Sequence, residues 1–179
     1  MFGYGAIANA NPKIPTGVPM SEADFNTIWK RSPNEILYRY CEDCSASHKD
    51  IYMRRTGDTE KILPFDMLTM VLENWFDAPD NRLGINFDLY DTYADALAQT
   101  HKWQVCNYND RGVGFPRDCG KGGNVSGNWN SIDRTTGIKL RNGKTNFYFA
   151  VETTLVTSEL PSSEPSALPS DKPSDKQAL

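Results

Sequence analysis

Apolar and polar residues alternate with a period of two in several stretches, and that period predicts strands, because successive strand side chains point to opposite faces. In 35–40, Ile36, Tyr38 and Tyr40 share one side. Residues 50–55 read as a second strand, with a turn at Gly57-Asp58. The polar turn 45–48 between them makes the pair a hairpin. In 83–90, Ile85, Phe87 and Leu89 fall on one face and Asn86, Asp88 and Tyr90 on the other. Residues 102–108 place Trp103, Val105 and Asn107 together. The stretch 146–154, NFYFAVETT, has high β propensity and suits a central or closing strand.

Helical spacing occurs three times. Ser21 is placed to cap a helix over 22–30 with Phe25, Ile28 and Trp29 on one side, which makes Trp29 a packing residue. The most apolar segment, 62–76, spaces Phe65, Leu68, Leu72, Trp75 and Phe76 helically, with Pro64 in its first turn. Residues 91–99 read as a short helix capped by Asp91 or Thr92, with Ala94, Leu97 and Ala98 as its apolar side. No regular alternation of helix and strand runs along the chain, which argues against a parallel α/β fold. The pattern predicts a mainly β domain, a β-sandwich of jelly-roll type with one or two short helices; the alternative is α+β.

Three regions follow. Residues 1–33, broken by Pro12, Pro15, Gly17 and Pro19, read as a loose approach segment. Residues 34–156 form the domain. Residues 157–179 form a disordered tail, in which Pro161, Pro165, Pro169 and Pro173 each precede a Ser at a strict four-residue period. Such low-complexity Pro-Ser spacers are often glycosylated stalks.

Composition adds a bias and some exclusions. With 11% aromatic residues the chain suits sheets better than a helical bundle. A net charge of −4 and the lack of a basic stripe argue against nucleic acid as partner. No apolar run reaches the roughly 18 residues of a membrane span. The first fifteen residues lack a signal peptide's basic start and long apolar run, so an extracellular protein would need its true start elsewhere; a cytosolic location is the competing expectation.

Four cysteines allow three pairings. Cys106–Cys119 is favoured, because it staples a Gly-rich loop, with Cys41 and Cys44 left to pair locally; crossed pairings would tie the hairpin to that loop. The Cys41-x-x-Cys44 spacing resembles a redox motif, but it follows a strand and precedes a polar turn, without a helix start to lower a thiol pKa. A zinc site of all four is disfavoured by the spacing of the second pair.

The chemistry-bearing stretch is 101–134, dense in Asn, Asp, Arg and Gly and poor in aliphatics. Its composition predicts loops that present side chains outward. Sugars are held by aromatic faces and by planar polar groups that bond to hydroxyls. The candidates for such contacts are Asn107, Tyr108, Asp110, Arg111, Arg117, Asp118, Trp129, Asn130 and Arg134. Trp103 is assigned to the core instead. Asn107, Asn109, Asp110 and Asp118 are hard oxygen ligands that would suit a structural calcium, but their spacing matches no EF-hand, and Arg111 and Arg117 beside them favour ion pairs. No other cofactor is indicated. For hydrolysis, Asp50, Asp88, Asp110, Asp118 and Glu152 are available, without a pair fixed across a cleft. His48 and His101 stand in no nucleophile motif and read as satisfied surface histidines. Asn124-Val-Ser126 is an N-glycosylation acceptor pattern.

The run from Tyr38 to Tyr52, YRYCEDCSASHKDIY, with Asn107-Tyr-Asn-Asp and Gly114-Phe-Pro-Arg-Asp-Cys119, resembles an uncharacterised domain of predicted secreted and cell-surface proteins of diatoms and marine bacteria. The Pro-Ser tetrads are similar to diatom cell-surface spacers. The resemblance spans roughly residues 35–155 and the tail, implies an extracellular or cell-wall setting, and carries over no catalytic residues. The expectation is a module that binds polysaccharide or glycoprotein. The alternatives are a polysaccharide-active hydrolase and a structural adhesion protein without a small-ligand site.

Overall fold

The elements appear in the order β1 (Gly3–Ala8), α1 (Glu22–Trp29), β2 (Ile36–Cys41), α2 (Ala46–Lys49), β3 (Asp50–Arg55), α3 (Met67–Glu73), β4 (Phe87–Tyr90), α4 (Tyr93–Ala98), β5 (Val105–Asn107), β6 (Asp118–Gly120) and β7 (Phe147–Thr153). They come from a computed structural model that describes residues 3–8, 21–42, 44–56, 66–122, 130 and 147–153. The Pro-Ser tail, the Asn124 acceptor, the Gly57-Asp58 turn, Phe65, Trp129 and Arg134 lie outside the described residues.

The alternation around 35–55 folds as a hairpin. β2 and β3 pair antiparallel, with Tyr38 opposite Tyr52 and Leu37 opposite Met53. β7 pairs antiparallel with the other edge of β2, and β4 with β3. β1 lies parallel to β7. The order in this sheet is β1-β7-β2-β3-β4, and β5 and β6 form a separate antiparallel pair. β7 is thus an internal strand. Because β2 is flanked on both edges and covered on both faces, all six of its residues are buried.

The two faces of the sheet differ. The inner face carries Leu37, Ile51, Met53, Phe87, Leu89, Phe147, Phe149 and Val151. Against it pack Phe25 and Trp29 of α1, Met67, Leu68 and Val71 of α3, and Trp75, Trp103, Tyr108 and Phe115 from the loops. Trp75 is the hub, with ring centroids of Phe87 at 4.6 Å and Phe115 at 4.8 Å. The outer face is built from tyrosines. Tyr38, Tyr40, Tyr52 and Tyr90 are buried with Ile36, Ala150 and Ala96 of α4, and Tyr93 and Tyr148 pack at the margin. Tyr38 stacks on Tyr52 at 4.8 Å and Tyr40 on Tyr148 at 5.2 Å.

Strands and short helices are both present, with mainly antiparallel pairing, as expected. The jelly-roll sandwich is not what they build. Among the described residues the architecture is mixed α/β: α1, α3 and an aromatic loop cover one sheet face, and α4 lies on the other, where a sandwich would place a second sheet. Residues 3–8 and 22–29 join the same sheet and core as the later strands.

Local departures have local causes. The turn 45–48 is a helical turn, closed by the His48 amide on the Ser45 carbonyl at 2.9 Å. Residues 83–86 leave the strand because the Arg82 carbonyl takes the amides of Ile85 and Asn86, and Gly84 adopts φ 77°. Ile85 is therefore 63% exposed, whereas Phe87 and Leu89 are buried. In α4 the sheet-facing residues are Tyr93 and Ala96, three apart, and Leu97 is 40% exposed. Asp66 caps α3, and Pro64 lies outside the described residues; the Asp66 carboxylate accepts from the Thr69 amide at 3.0 Å and from Asn26 Nδ2 at 2.8 Å, which joins α1 to α3.

Both local disulfides are formed, Cys41–Cys44 and Cys106–Cys119. All four sulfurs are consumed, which removes the zinc arrangement. In the chain-entropy picture the short ring contributes about 2 kcal/mol and the longer about 3 kcal/mol.

Candidate recognition site

The residues singled out in 107–118 sit on one device, the β5–β6 hairpin and its connecting loop. Cys106 pairs with Cys119 in register and Asn107 with Asp118, so the disulfide closes the hairpin across a strand pair. The loop is then fixed to the core by its backbone. The Trp75 amide donates to the Val113 carbonyl at 2.7 Å, the Phe115 amide to the Val71 carbonyl at 2.7 Å, and the Asp77 amide to the Tyr108 carbonyl at 2.8 Å. Gly112 donates to Asn74 Oδ1 at 3.2 Å. A segment poor in aliphatics is ordered here by aromatic side chains and by hydrogen bonds from a neighbouring helix and loop.

The predicted contacts divide into three groups. Asn107 and Arg111 are exposed, together with Asn109. The Arg111 guanidinium lies over the Phe76 ring at 4.0 Å, within cation–π distance. Arg117, Asp110 and Asp118 form a charged cluster. Arg117 donates to Asp110 Oδ2 at 2.5 Å and stands 4.0 Å from Asp118. This is the ion-pair arrangement that competed with a calcium site, and among the described residues no group of three or more His, Cys, Asp or Glu is placed to hold a metal ion. Arg117 has φ 52°, the left-handed region, which costs a non-glycine residue about 1 kcal/mol.

Tyr108 and Asn130 are corrections. Tyr108 is buried, its hydroxyl donating to the Asn81 carbonyl at 2.9 Å and accepting from the Leu83 amide at 3.0 Å. It belongs to the Trp75 cluster, because the strand period after Asn107 turns its ring inward. Asn130 is fully buried, and neither atom of its amide has a hydrogen-bond partner. Neither residue is displayed to a ligand. Trp103 is core as expected; its indole donates to Asp91 Oδ1 at 2.6 Å, and Lys121 pairs with the other oxygen of the same carboxylate.

Phe76 is the site residue that sequence reasoning missed. It was counted in the apolar face of a helix over 62–76, but α3 ends at Glu73 and leaves Phe76 to seat Arg111. The signal was the polar stop that follows it at Asp77 and Pro79.

The candidate catalytic groups are held apart or spent. Asp50 accepts from the Tyr38 hydroxyl at 2.5 Å. Glu152, buried, accepts from Asn34 Nδ2 at 2.9 Å and from the Tyr93 hydroxyl. Asp88 pairs with Lys102 at 2.6 Å. Burial raises the phenols of Tyr38, Tyr52, Tyr93 and Tyr148 well above their ordinary value, and that of Tyr90 to about 12, so these hydroxyls stay protonated. His101 is a surface histidine paired with Asp95 at 2.7 Å, as expected. His48 is not at the surface. It is the buried residue of α2, with Nε2 at 2.9 Å from the Cys119 carbonyl and Nδ1 at 2.9 Å from Ser47 Oγ. The carbonyl requires the proton on Nε2, so Nδ1 accepts from Ser47. Burial first, then the Arg39 charge, lowers the His48 pKa and favours this neutral form.

No protein-family model, curated protein or solved structure matches the chain.

Proposed function

We propose that the chain is an extracellular or cell-wall-associated module that binds polysaccharide or glycoprotein through the surface of the β5–β6 hairpin. The observation that supports this most is the exposure of Asn107, Asn109 and Arg111 on a loop that is closed by Cys106–Cys119 and bonded to the core. Amide and guanidinium edges are the planar donors and acceptors that sugar hydroxyls use. Holding them on a stapled hairpin reduces the ordering cost of binding. Two disulfides fit an oxidising compartment, and no helix among the described residues is long and apolar enough to cross a membrane.

One observation favours a second reading, a structural adhesion protein: Arg117 is already engaged by Asp110 and Asp118. Affinity electrophoresis in gels containing different wall polysaccharides separates the two. Retardation of the wild type that is lost in Asn107→Ala/Arg111→Ala supports recognition, and unretarded migration in every gel supports the structural reading. Release of new reducing ends from the same polymers would replace both with a hydrolase.

A further inference from the structure

The Cys41–Cys44 pair takes no part in the recognition surface, yet its surroundings are specific. β2 ends at Cys41, which is fully buried, and Cys44 lies three residues on with partial exposure. Arg39 falls two positions before Cys41 on the same face of the strand and is itself fully buried. Its Nη1 donates to the His48 carbonyl at 3.2 Å and its Nη2 to Cys44 Sγ at 3.6 Å. The guanidinium carbon stands 5.8 Å from the centroid of the Phe147 ring. A cation is thus held in the interior, against the more accessible of the two sulfurs. In the sequence, no helix start stands before Cys41 to favour a thiolate. Arg39 supplies that influence from the preceding strand, where the cysteine spacing alone does not reveal it.

We propose that Cys41–Cys44 is a reversible thiol–disulfide exchange site for low-molecular-weight thiols, with Cys44 as the exchanging sulfur, Cys41 as the resolving sulfur and Arg39 as the positioning cation. In the reducing direction, the thiolate of one small thiol attacks Cys44 Sγ. The new S–S bond forms to Cys44, the Cys41–Cys44 bond breaks, and Cys41 leaves as a thiolate that takes a proton from water. A second thiolate then attacks the small-thiol sulfur of the mixed disulfide. This releases the oxidised small-molecule disulfide and leaves Cys44 as a thiolate beside Arg39. Two thiols are oxidised and one protein disulfide is reduced, which balances the two electrons. The reverse sequence closes the pair. Attack falls on Cys44 because Cys41 is sealed in the core. The ring is short, so opening it removes little restraint from the chain, and the fold survives the cycle.

The test equilibrates the full chain with a graded series of reduced and oxidised glutathione at pH 7, followed by acid quench, alkylation and peptide mass mapping. The expected result is that Cys41–Cys44 opens at a reducing ratio about tenfold lower than Cys106–Cys119, with the trapped glutathione adduct on Cys44. Simultaneous opening of both disulfides, or an adduct on Cys41, would overturn the proposal. Cys41→Ser provides an independent reading, because the pH dependence of Cys44 alkylation reports its thiolate directly. Cys44 is expected to titrate at least about one unit below the free value of about 8.5, which gives about tenfold more thiolate near neutral pH. Titration at or above the free value contradicts the site. Arg39→Gln in that background is expected to raise the Cys44 value, and an unchanged value removes Arg39 from its assigned role.

Discussion

The residues that decide this molecule are aromatic and buried polar ones. Trp75 touches Phe87, Phe115 and Tyr108, and with them replaces the aliphatic core that the 101–122 segment lacks. Trp75→Ala is expected to cost about 3–5 kcal/mol in denaturant unfolding, since it leaves a cavity at the hub. His48 is held neutral in the folded chain, with a pKa below its unfolded value of about 6.5. Its contribution is therefore complete above about pH 6.5 and is lost as pH falls from there through the lowered folded value, because the unfolded chain gains the proton first. Unfolding midpoints measured from pH 8 to pH 5 are expected to fall in the wild type, and the fall is expected to be smaller in His48→Gln. Equal slopes would contradict the buried-neutral assignment. In the sequence His48 looked like a surface histidine, since a four-residue Ser-rich turn gives no sign that its imidazole reaches a carbonyl 71 residues away. The exposure of Asn107 and Arg111 was legible, because polar side chains in a segment poor in aliphatics stay in water. Tyr108 was not, because one more step of the strand period turns the next ring inward.

At the scale of elements, legibility followed how local the determining contacts are. The β2–β3 hairpin was readable from period-2 alternation and a short polar connection. α1 was readable from Ser21 and from the spacing of Phe25 and Trp29. α4 was located correctly, but its buried side was not. Tyr93 and Ala96 face the sheet because the Tyr93 hydroxyl reaches Glu152, a contact across 59 residues. Thr92 caps this helix by accepting from the Asp95 amide at 3.0 Å, and Thr92→Ala is expected to cost about 1 kcal/mol. The hydrogen bond from Thr92, then that from His101, lowers the Asp95 carboxyl to about 2. The same substitution removes the Thr92 hydroxyl that donates to Asp95 Oδ2 at 2.6 Å and is therefore expected to raise the Asp95 value toward the ordinary carboxylate range, as read by NMR titration; an unchanged value would show that this hydroxyl–carboxylate bond is not formed. The disulfides give a second contrast between elements. Replacing Cys106 and Cys119 by Ser is expected to lower stability by about 3 kcal/mol, against about 2 kcal/mol for Cys41 and Cys44, because the longer loop gains more freedom when opened. Urea midpoints of the two double variants measure the difference, and a reversed order would show that ring size does not govern it.

The whole molecule was the least legible scale. β1 runs parallel to β7 across nearly the whole chain, and no local pattern announces such a pairing. Period-2 alternation puts Ile36, Tyr38 and Tyr40 on one side of the first strand. The structure buries both sides, with aliphatics and phenylalanines inward and tyrosines outward, so one sheet is covered on two faces and the second sheet of a jelly roll has no place among the described residues. The functional account rests on what this arrangement leaves displayed: a disulfide-closed hairpin offering Asn107, Asn109 and Arg111 to solvent. A glycan array probed with the wild type and with Asn107→Ala/Asn109→Ala/Arg111→Ala tests that account most directly. It predicts binding to a restricted set of glycans by the wild type and at least about a tenfold loss in the variant, equivalent to about 1.4 kcal/mol. Absence of wild-type binding to every glycan, or full binding by the variant, would contradict it.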